Sequence, residues 1–202
     1  MPDKVISTAK GRVVTGFSKP YVALYNYSEG AISYTSGQEL ARGVSVDFSV
    51  ESSDVNNFYA NNVESESTSG EFTSGTVDLG VDGLLTASER LIMGIPAAGA
   101  DGFSTYNDDQ HIPYVGIGYI TRYMSGGAVS YEPTVIVKAK FDQIPRKANT
   151  QEDAIDWQTN NLTAKIYRSE AEKHPWLHVG SEYATEAEAE AALKTKLGIA
   201  GA

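Results

Sequence analysis

The residues best suited to catalysis or metal binding in this chain are its three histidines, His111, His174 and His178. His174 and His178 have the spacing of two zinc ligands on one helical face. Pro175, however, disfavours helical geometry at the residue before it, so the pair would not share such a face. No third ligand of a suitable kind lies nearby, and His111 follows a polar turn at residues 108–110. We therefore expect no metal site.

Other motifs that could support chemistry are incomplete. Residues 101–109 offer oxygen ligands and a glycine, but they lack the alternating acids and terminal Glu of a calcium loop, so a solvated loop is the better interpretation. The glycines form neither a phosphate-binding loop nor a dinucleotide fingerprint, and there is no nucleophile-elbow motif. The absence of Cys excludes disulfides and a cysteine nucleophile. The sequence therefore predicts a protein that is not an enzyme and has no cofactor.

Composition limits the remaining classes. The 202 residues suffice for one domain with a sizeable core, and 26 acidic against 16 basic residues give a net charge of -10. Such a chain does not attract a phosphate backbone, although a surface that DNA must slide along without sticking should be neutral or acidic. The N-terminus lacks the apolar core of a signal peptide, and no apolar run approaches a membrane span. We expect a soluble protein made in a cytoplasm, without a membrane partner.

An alternating strand at residues 44–51 is the element most suggestive of function. Period-2 alternation puts four apolar residues on its buried face: Val44, Val46, Phe48 and Val50. The wet face carries acid and hydroxyl groups but no base: Ser45, Asp47, Ser49 and Glu51. A polar tract follows at residues 52–70, too long for a tight turn, and its apolar insert at 55–60 favours a partner. This wet face beside a projecting loop suggests assembly, although an ordinary solvated sheet face and an idle loop are the plainer alternatives.

The rest of the chain predicts a mainly β fold. Turn signals and alternating runs recur from residue 12 to residue 180, as in an antiparallel β-sandwich or barrel. Further strands are predicted at 21–27, 31–34, 71–79, 113–123, 131–142, 161–167 and 176–179. Two capping boxes predict helices, a short one opening at Thr86 and ending at Met93, and a C-terminal one over residues 185–197. We expect a single domain over residues 1–202, with a flexible N-terminal arm at residues 1–11.

Several of these segments resemble the major tail protein family of long-tailed, non-contractile bacteriophages. The resemblance is carried by ordered strand patterns, not by a catalytic signature, and covers roughly residues 10–180. Its segments are residues 43–51, 58–66, 75–79, 116–120, 135–141 and 151–157. The Ala/Glu-rich C-terminal helix matches least well.

The resemblance implies a tail tube protein of the virion, made in the bacterial host cytoplasm. Members form a β-sandwich flanked by a helix, assemble as hexameric rings and stack those rings into a tube that carries DNA from capsid to host. The partners implied are further copies of the chain and other tail proteins, such as the tape measure and the tail terminator, while DNA passes without specific binding. Long hairpins would line the channel, and a long loop would reach the neighbouring ring.

Two hypotheses follow. In a tail tube, Ser45, Asp47, Ser49 and Glu51 would line the channel, and the loop residues Val55, Phe58, Tyr59 and Val63 would contact neighbouring subunits or rings. The alternative is a monomeric β-sandwich module that binds carbohydrate or another ligand. Its aromatic platforms would be Tyr114, Tyr119 and Tyr123.

Overall fold

The computed structural model describes residues 11–54, 57–61, 63–67, 70–108, 110–146 and 159–199. Within these ranges the chain is mainly β with two helices, which confirms the predicted fold class. Of the predicted N-terminal arm, only Gly11 is described. Residues 151–157, which contributed to the family resemblance, lie outside the described ranges.

The elements follow one another in a simple order. The first five strands are β1 (Val13–Ser28), β2 (Ala31–Glu39), β3 (Gly43–Ser52), β4 (Asn57–Ala60) and β5 (Val63–Ser67). The others are β6 (Phe72–Val81), β7 (Val115–Ser125), β8 (Ala128–Phe141), β9 (Asn160–Ile166) and β10 (Leu177–Val179). Helix α1 (Thr86–Met93) follows β6, and helix α2 (Glu186–Lys196) follows β10.

Eight strands form one antiparallel sheet that curls around its own core. Its order is β2-β1-β7-β8-β9-β6-β3, and β10 pairs with β8 beside this path. The curl brings the start of β3 against β1, so that a Cβ atom on Gly43 would lie 2.2 Å from the Phe17 ring. Strands β4 and β5 form a separate two-stranded sheet. Within the described ranges, β2 and β3 are therefore the two ends of this strand order.

Two predicted hairpins are confirmed, and both turn through residues with positive φ. Glu29 and Gly30, with φ of 52° and 81°, join β1 to β2. Gly126 and Gly127, with φ of 59° and 90°, join β7 to β8. Two consecutive left-handed residues give the turn whose twist matches the strands on either side, and glycine adopts that conformation without steric cost.

Strand β8 carries a bulge that changes which side chains face the core. Between Val115↔Ala139 and Ile117↔Ile136 it has one residue more than β7. The sequence predicts one shared face for residues 135, 137, 139 and 141, which is wrong for Val135. The extra residue shifts the alternation, so Ile136 and Ala139 belong to the main core whereas Val135 packs on α2.

Helix α2 closes a second apolar cluster on the outside of the sheet. Leu193 and Leu197 are buried against Ile120 and Val135. Strand β7 beneath α2 has no room for a side chain at residue 118, since a Cβ atom on Gly118 would lie 2.6 Å from Leu193 Cδ1. At the start of α2, the predicted capping box is confirmed: Glu188 N–H donates to Thr185 Oγ1, and Thr185 N–H donates to the Glu188 carboxylate.

The capping box predicted for α1 is wrong, although the bounds of that helix are right. Leu85 occupies the N-cap position and makes no side-chain cap, because Thr86 is already the first helical residue. The other polar side chains of the motif have tertiary partners. Ser88 Oγ donates to the Glu39 carbonyl at 2.6 Å, and the Glu89 carboxylate accepts from Arg146. Gly94, with φ of 63°, ends the helix as predicted.

Candidate assembly surface

The four residues predicted to line a channel lie along β3, and all four are exposed. They are Ser45, Asp47, Ser49 and Glu51. Because β3 alternates, Val46 and Phe48 point to the opposite side and pack against the main core. The exposed side of β3 is therefore the polar face that the alternation predicts.

The core covers only the middle of the apolar face predicted for β3. Val44 and Val50 are 55% and 43% exposed, although the alternation predicts that both are buried. Val44 lies where β3 has one residue more than β6, which takes it out of the regular alternation. Val50 lies opposite Gly75, which has no side chain to cover it. These two valines are apolar surface on an edge strand.

Neighbouring strands extend the polar face. Asp47 is directly opposite Asp78, whose carboxylate accepts a hydrogen bond from the Thr163 hydroxyl on β9. Near the end of β3, Ser74 Oγ donates to the Glu51 carboxylate at 2.6 Å. Two like charges directly across a sheet destabilise it, so the Asp47–Asp78 pair is not explained by stability.

Basic residues lie on the part of this face that is farther from β3. Lys165 on β9 lies across from Thr76 on β6 and from Lys140 on β8. The face therefore grades from acidic on β3 and β6 to basic on β9 and β8. Sequence reasoning missed the two lysines because they come from strands that are distant in the chain.

The tract predicted to be a long polar loop contains a two-stranded hairpin. We call residues 53–71 the arm. Within it, β4 and β5 pair with each other and, among the described residues, with no other strand. Of the predicted contact residues, Phe58 and Tyr59 lie in β4 and Val63 in β5, whereas Val55 lies outside the described ranges. A two-stranded hairpin is marginally stable alone, so the arm is an element that gains from a partner.

An aromatic stack fixes the base of the arm. The Trp176 ring lies parallel to Phe72 at a centroid distance of 4.3 Å and parallel to Phe48 at 6.0 Å. Arg168 donates to the Phe72 carbonyl and forms an ion pair with Glu71 at 3.1 Å. The base of the arm is thus anchored to the segment after β9. No local pattern predicts this role of Trp176 and Arg168, because they are about a hundred residues from Phe72 in the chain.

The aromatic residues of the ligand-binding alternative do not form one exposed platform. Tyr119 is 7% exposed and packs on Phe17 within the core. Tyr114 covers the ammonium group of Lys138, with Nζ 4.2 Å from the ring centroid. Tyr123 is covered by the Arg12 guanidinium at 4.1 Å. The three rings are thus occupied by core packing or by cations of the same chain.

The histidines do not assemble a site. His174 Nδ1 lies 2.9 Å from the Ser169 carbonyl, which fixes its ring beside the backbone. Burial lowers the pKa of His178, and the charge of Lys196 lowers it further. Among the residues that the structure describes, no three His, Asp or Glu side chains come together as metal ligands. No helix in those ranges is long and apolar enough to cross a bilayer.

Comparison with known proteins does not assign this chain to a family. Neither the scan against protein-family models nor the search of curated proteins found a match for this chain.

Proposed function

We propose that this chain is a structural protein of a bacteriophage virion, the subunit of a tail tube. Copies join through sheet edges into rings, and the rings stack into a conduit for DNA. The proposal rests on the resemblance of the strand segments to major tail proteins and on the surface described above. The role is mechanical and requires no reacting group.

The observation that best supports the proposal is the unpaired edge of β3. This ten-residue strand pairs only with β6 within the described ranges, so its other edge presents backbone N–H and C=O groups. Folded proteins usually protect such edges with charges, proline or a covering element, and closure into a barrel removes them. Val44 and Val50 add exposed apolar area to the same strand. An edge of this kind favours pairing with another copy.

The acidic part of the polar face, on β3 and β6, suits the passage of DNA, whereas Lys165 and Lys140 make its other side basic. Asp47, Glu51 and Asp78 bring three carboxylates together on β3 and β6, in a chain of net charge -10. A carboxylate surface repels phosphates, so DNA near it keeps its counterions and slides. The repulsion between Asp47 and Asp78 is then a stability cost accepted for this function.

Assembly of the purified protein tests the proposal. We expect rings or tubes by negative-stain microscopy of concentrated protein, with a matching mass by sedimentation. Val44→Lys and Val50→Lys should each suppress them, because a lysine at an edge blocks strand pairing. Val179→Lys is the matched control, since Val179 is 56% exposed on β10, which pairs with β8 and not with β3, and this variant should assemble normally. Strictly monomeric wild-type protein under all conditions would overturn the proposal.

A further inference from the structure

A pocket of about 290 Å³ lies between α2 and β10. Its apolar wall consists of Pro133 and Val135 on β8 together with Ala192 and Leu193 on α2. Val135 and Leu193 are almost completely buried, at 3% and 1% exposure, so this wall is part of the folded interior. Small-molecule sites begin at about 300 Å³, so the pocket has room for one aromatic ring or a short alkyl chain.

Backbone hydrogen bonds hold the rim of the pocket in place. Gly180 N–H donates to the Pro133 carbonyl at 2.8 Å. Two residues further along the rim, Tyr183 and Tyr131 exchange both of their backbone hydrogen bonds, at 2.8 and 2.9 Å. The confirmed capping box fixes the start of α2. The pocket is therefore pre-formed, and a ligand would not have to order the chain around it.

Two nitrogen-bearing side chains converge on this apolar wall, His178 from β10 and Lys196 from α2. His178 lies directly across from Val135, so its ring is on the side of the sheet that packs against α2. Burial lowers the pKa of His178, and the nearby positive charge of Lys196 lowers it further. At pH 7 the ring is therefore neutral and can donate one N–H, while Lys196 supplies the positive charge.

No described carboxylate neutralises this charge. Lys196 has no ion-pair partner among the side chains that the structure describes, and no acid contributes to the shifted pKa of His178. Glu188, two turns earlier on α2, has its carboxylate bonded to Thr185. The carbonyl groups at the end of α2 are also occupied, because those of residues 193–195 accept from the N–H groups of residues 197–199.

The acids on the neighbouring segments have partners elsewhere. Glu182, which precedes α2, and Glu132 on β8 both bind Arg12. Glu132 is next to Pro133 in the chain, but Pro133 pairs with Ile120 of the cluster beneath α2, so alternation turns Glu132 to the opposite side of β8. The pocket thus combines an apolar wall with an unneutralised ammonium group and an N–H donor.

This combination matches one class of small molecule. A single positive charge with one N–H donor suits the single charge and two oxygens of a carboxylate, and bonds between charged groups are the strong ones. A phosphate group would bring further charge and further oxygens that these two side chains do not satisfy. The apolar wall suits a hydrocarbon body attached to that carboxylate.

We propose that the pocket between α2 and β10 binds a small organic carboxylate, with the carboxylate at Lys196 and His178 and the hydrocarbon part against Leu193 and Val135. The site uses none of the residues of the polar face and goes beyond the proposed function. It can therefore be tested on the purified protein whether or not that protein assembles.

Benzoate is the probe, and benzamide, its neutral counterpart of the same shape, is the control. In NMR titrations benzoate should move the signals of the His178 ring and of the Leu193 methyl groups, with a Kd of about 1 mM. Benzamide should bind at least about fivefold more weakly, because it lacks the charge that Lys196 recognises. A bound carboxylate should also raise the pKa of His178, so benzoate should bind more tightly at pH 5.5 than at pH 7.5.

Two substitutions test the assignment of the residues. Lys196→Gln removes the charge, and Ala192→Phe fills the pocket, so each should weaken benzoate binding about tenfold or more. Lys165→Gln is the matched control, because Lys165 is an exposed lysine on β9 that does not line the pocket. Circular dichroism melts establish that each variant is folded.

Three results would each overturn the proposal. They are the absence of saturable shifts at His178, equal binding of benzoate and benzamide, and normal benzoate binding by folded Lys196→Gln. If a variant does not fold, the comparison of benzoate with benzamide on the wild-type protein, together with the pKa of His178, decides the question alone.

Discussion

Replacing Glu190 by Gln should weaken the attachment of α2 and change how the protein responds to acid. Glu190 is 18% exposed at its side chain. It accepts a hydrogen bond from the Tyr21 hydroxyl at 2.6 Å and forms ion pairs with Lys194 at 2.9 Å and Lys19 at 3.3 Å. The bond from Tyr21, followed by those from the two lysines, lowers the pKa of Glu190 from 4.5 to about 2, against the opposing effect of burial.

The expected magnitude follows from that pKa. A shift from 4.5 to about 2 corresponds to roughly 3 kcal/mol of stability at neutral pH if the carboxylate titrates normally in the unfolded chain. The lysines reach partly into solvent, and glutamine can still accept from Tyr21. We therefore expect Glu190→Gln to lose about 1–2 kcal/mol of unfolding free energy at pH 7. Because the folded pKa is depressed, this stabilisation is complete above pH 4.5 and disappears as the pH falls toward 2.

Urea unfolding at pH 7 and at pH 3 measures the effect. The difference in unfolding free energy between wild type and Glu190→Gln should shrink at pH 3. Glu172→Gln is the control, because Glu172 is exposed and makes no ion pair among the described residues. A difference between wild type and Glu190→Gln that is the same at both pH values would refute the electrostatic argument and indicate a packing effect instead.

Two further changes probe the candidate surface. Asp47→Asn should raise the unfolding free energy by about 0.2–1 kcal/mol, because it removes the like charge opposite Asp78, and the gain should fall in high salt; a destabilised variant in urea unfolding would contradict this. Trp176→Ala should lower the unfolding free energy by about 2 kcal/mol, because Phe72 and Phe48 both lose their contact with its ring, and should expose the base of the arm to limited proteolysis. Unchanged cleavage would mean that the stack does not hold the arm.

Local chemistry made several elements predictable. The paired glycines at 126–127 specify a tight turn whatever surrounds them, and Thr185 with Glu188 satisfies the backbone at the start of α2 from within its own turn. In α1 the same motif failed because Ser88 and Glu89 find partners on distant segments. A local pattern predicts structure where its hydrogen bonds remain local.

The candidate surface was predictable only in part. Alternation along β3 predicted the polar residues of that strand, because alternation depends on one strand alone. The exposed positions of Val44 and Val50 depend on a bulge and on a glycine across the sheet, and the lysines of β8 and β9 depend on strand order. None of these can be read from a single strand.

The length of β6 between the arm and α1 gives the subunit a direction. In a tube of the proposed kind, the ring at one end would present the arms, and the ring at the other end would present helix α1. Growth of the tube would then have a direction, and its two ends would need different terminating proteins.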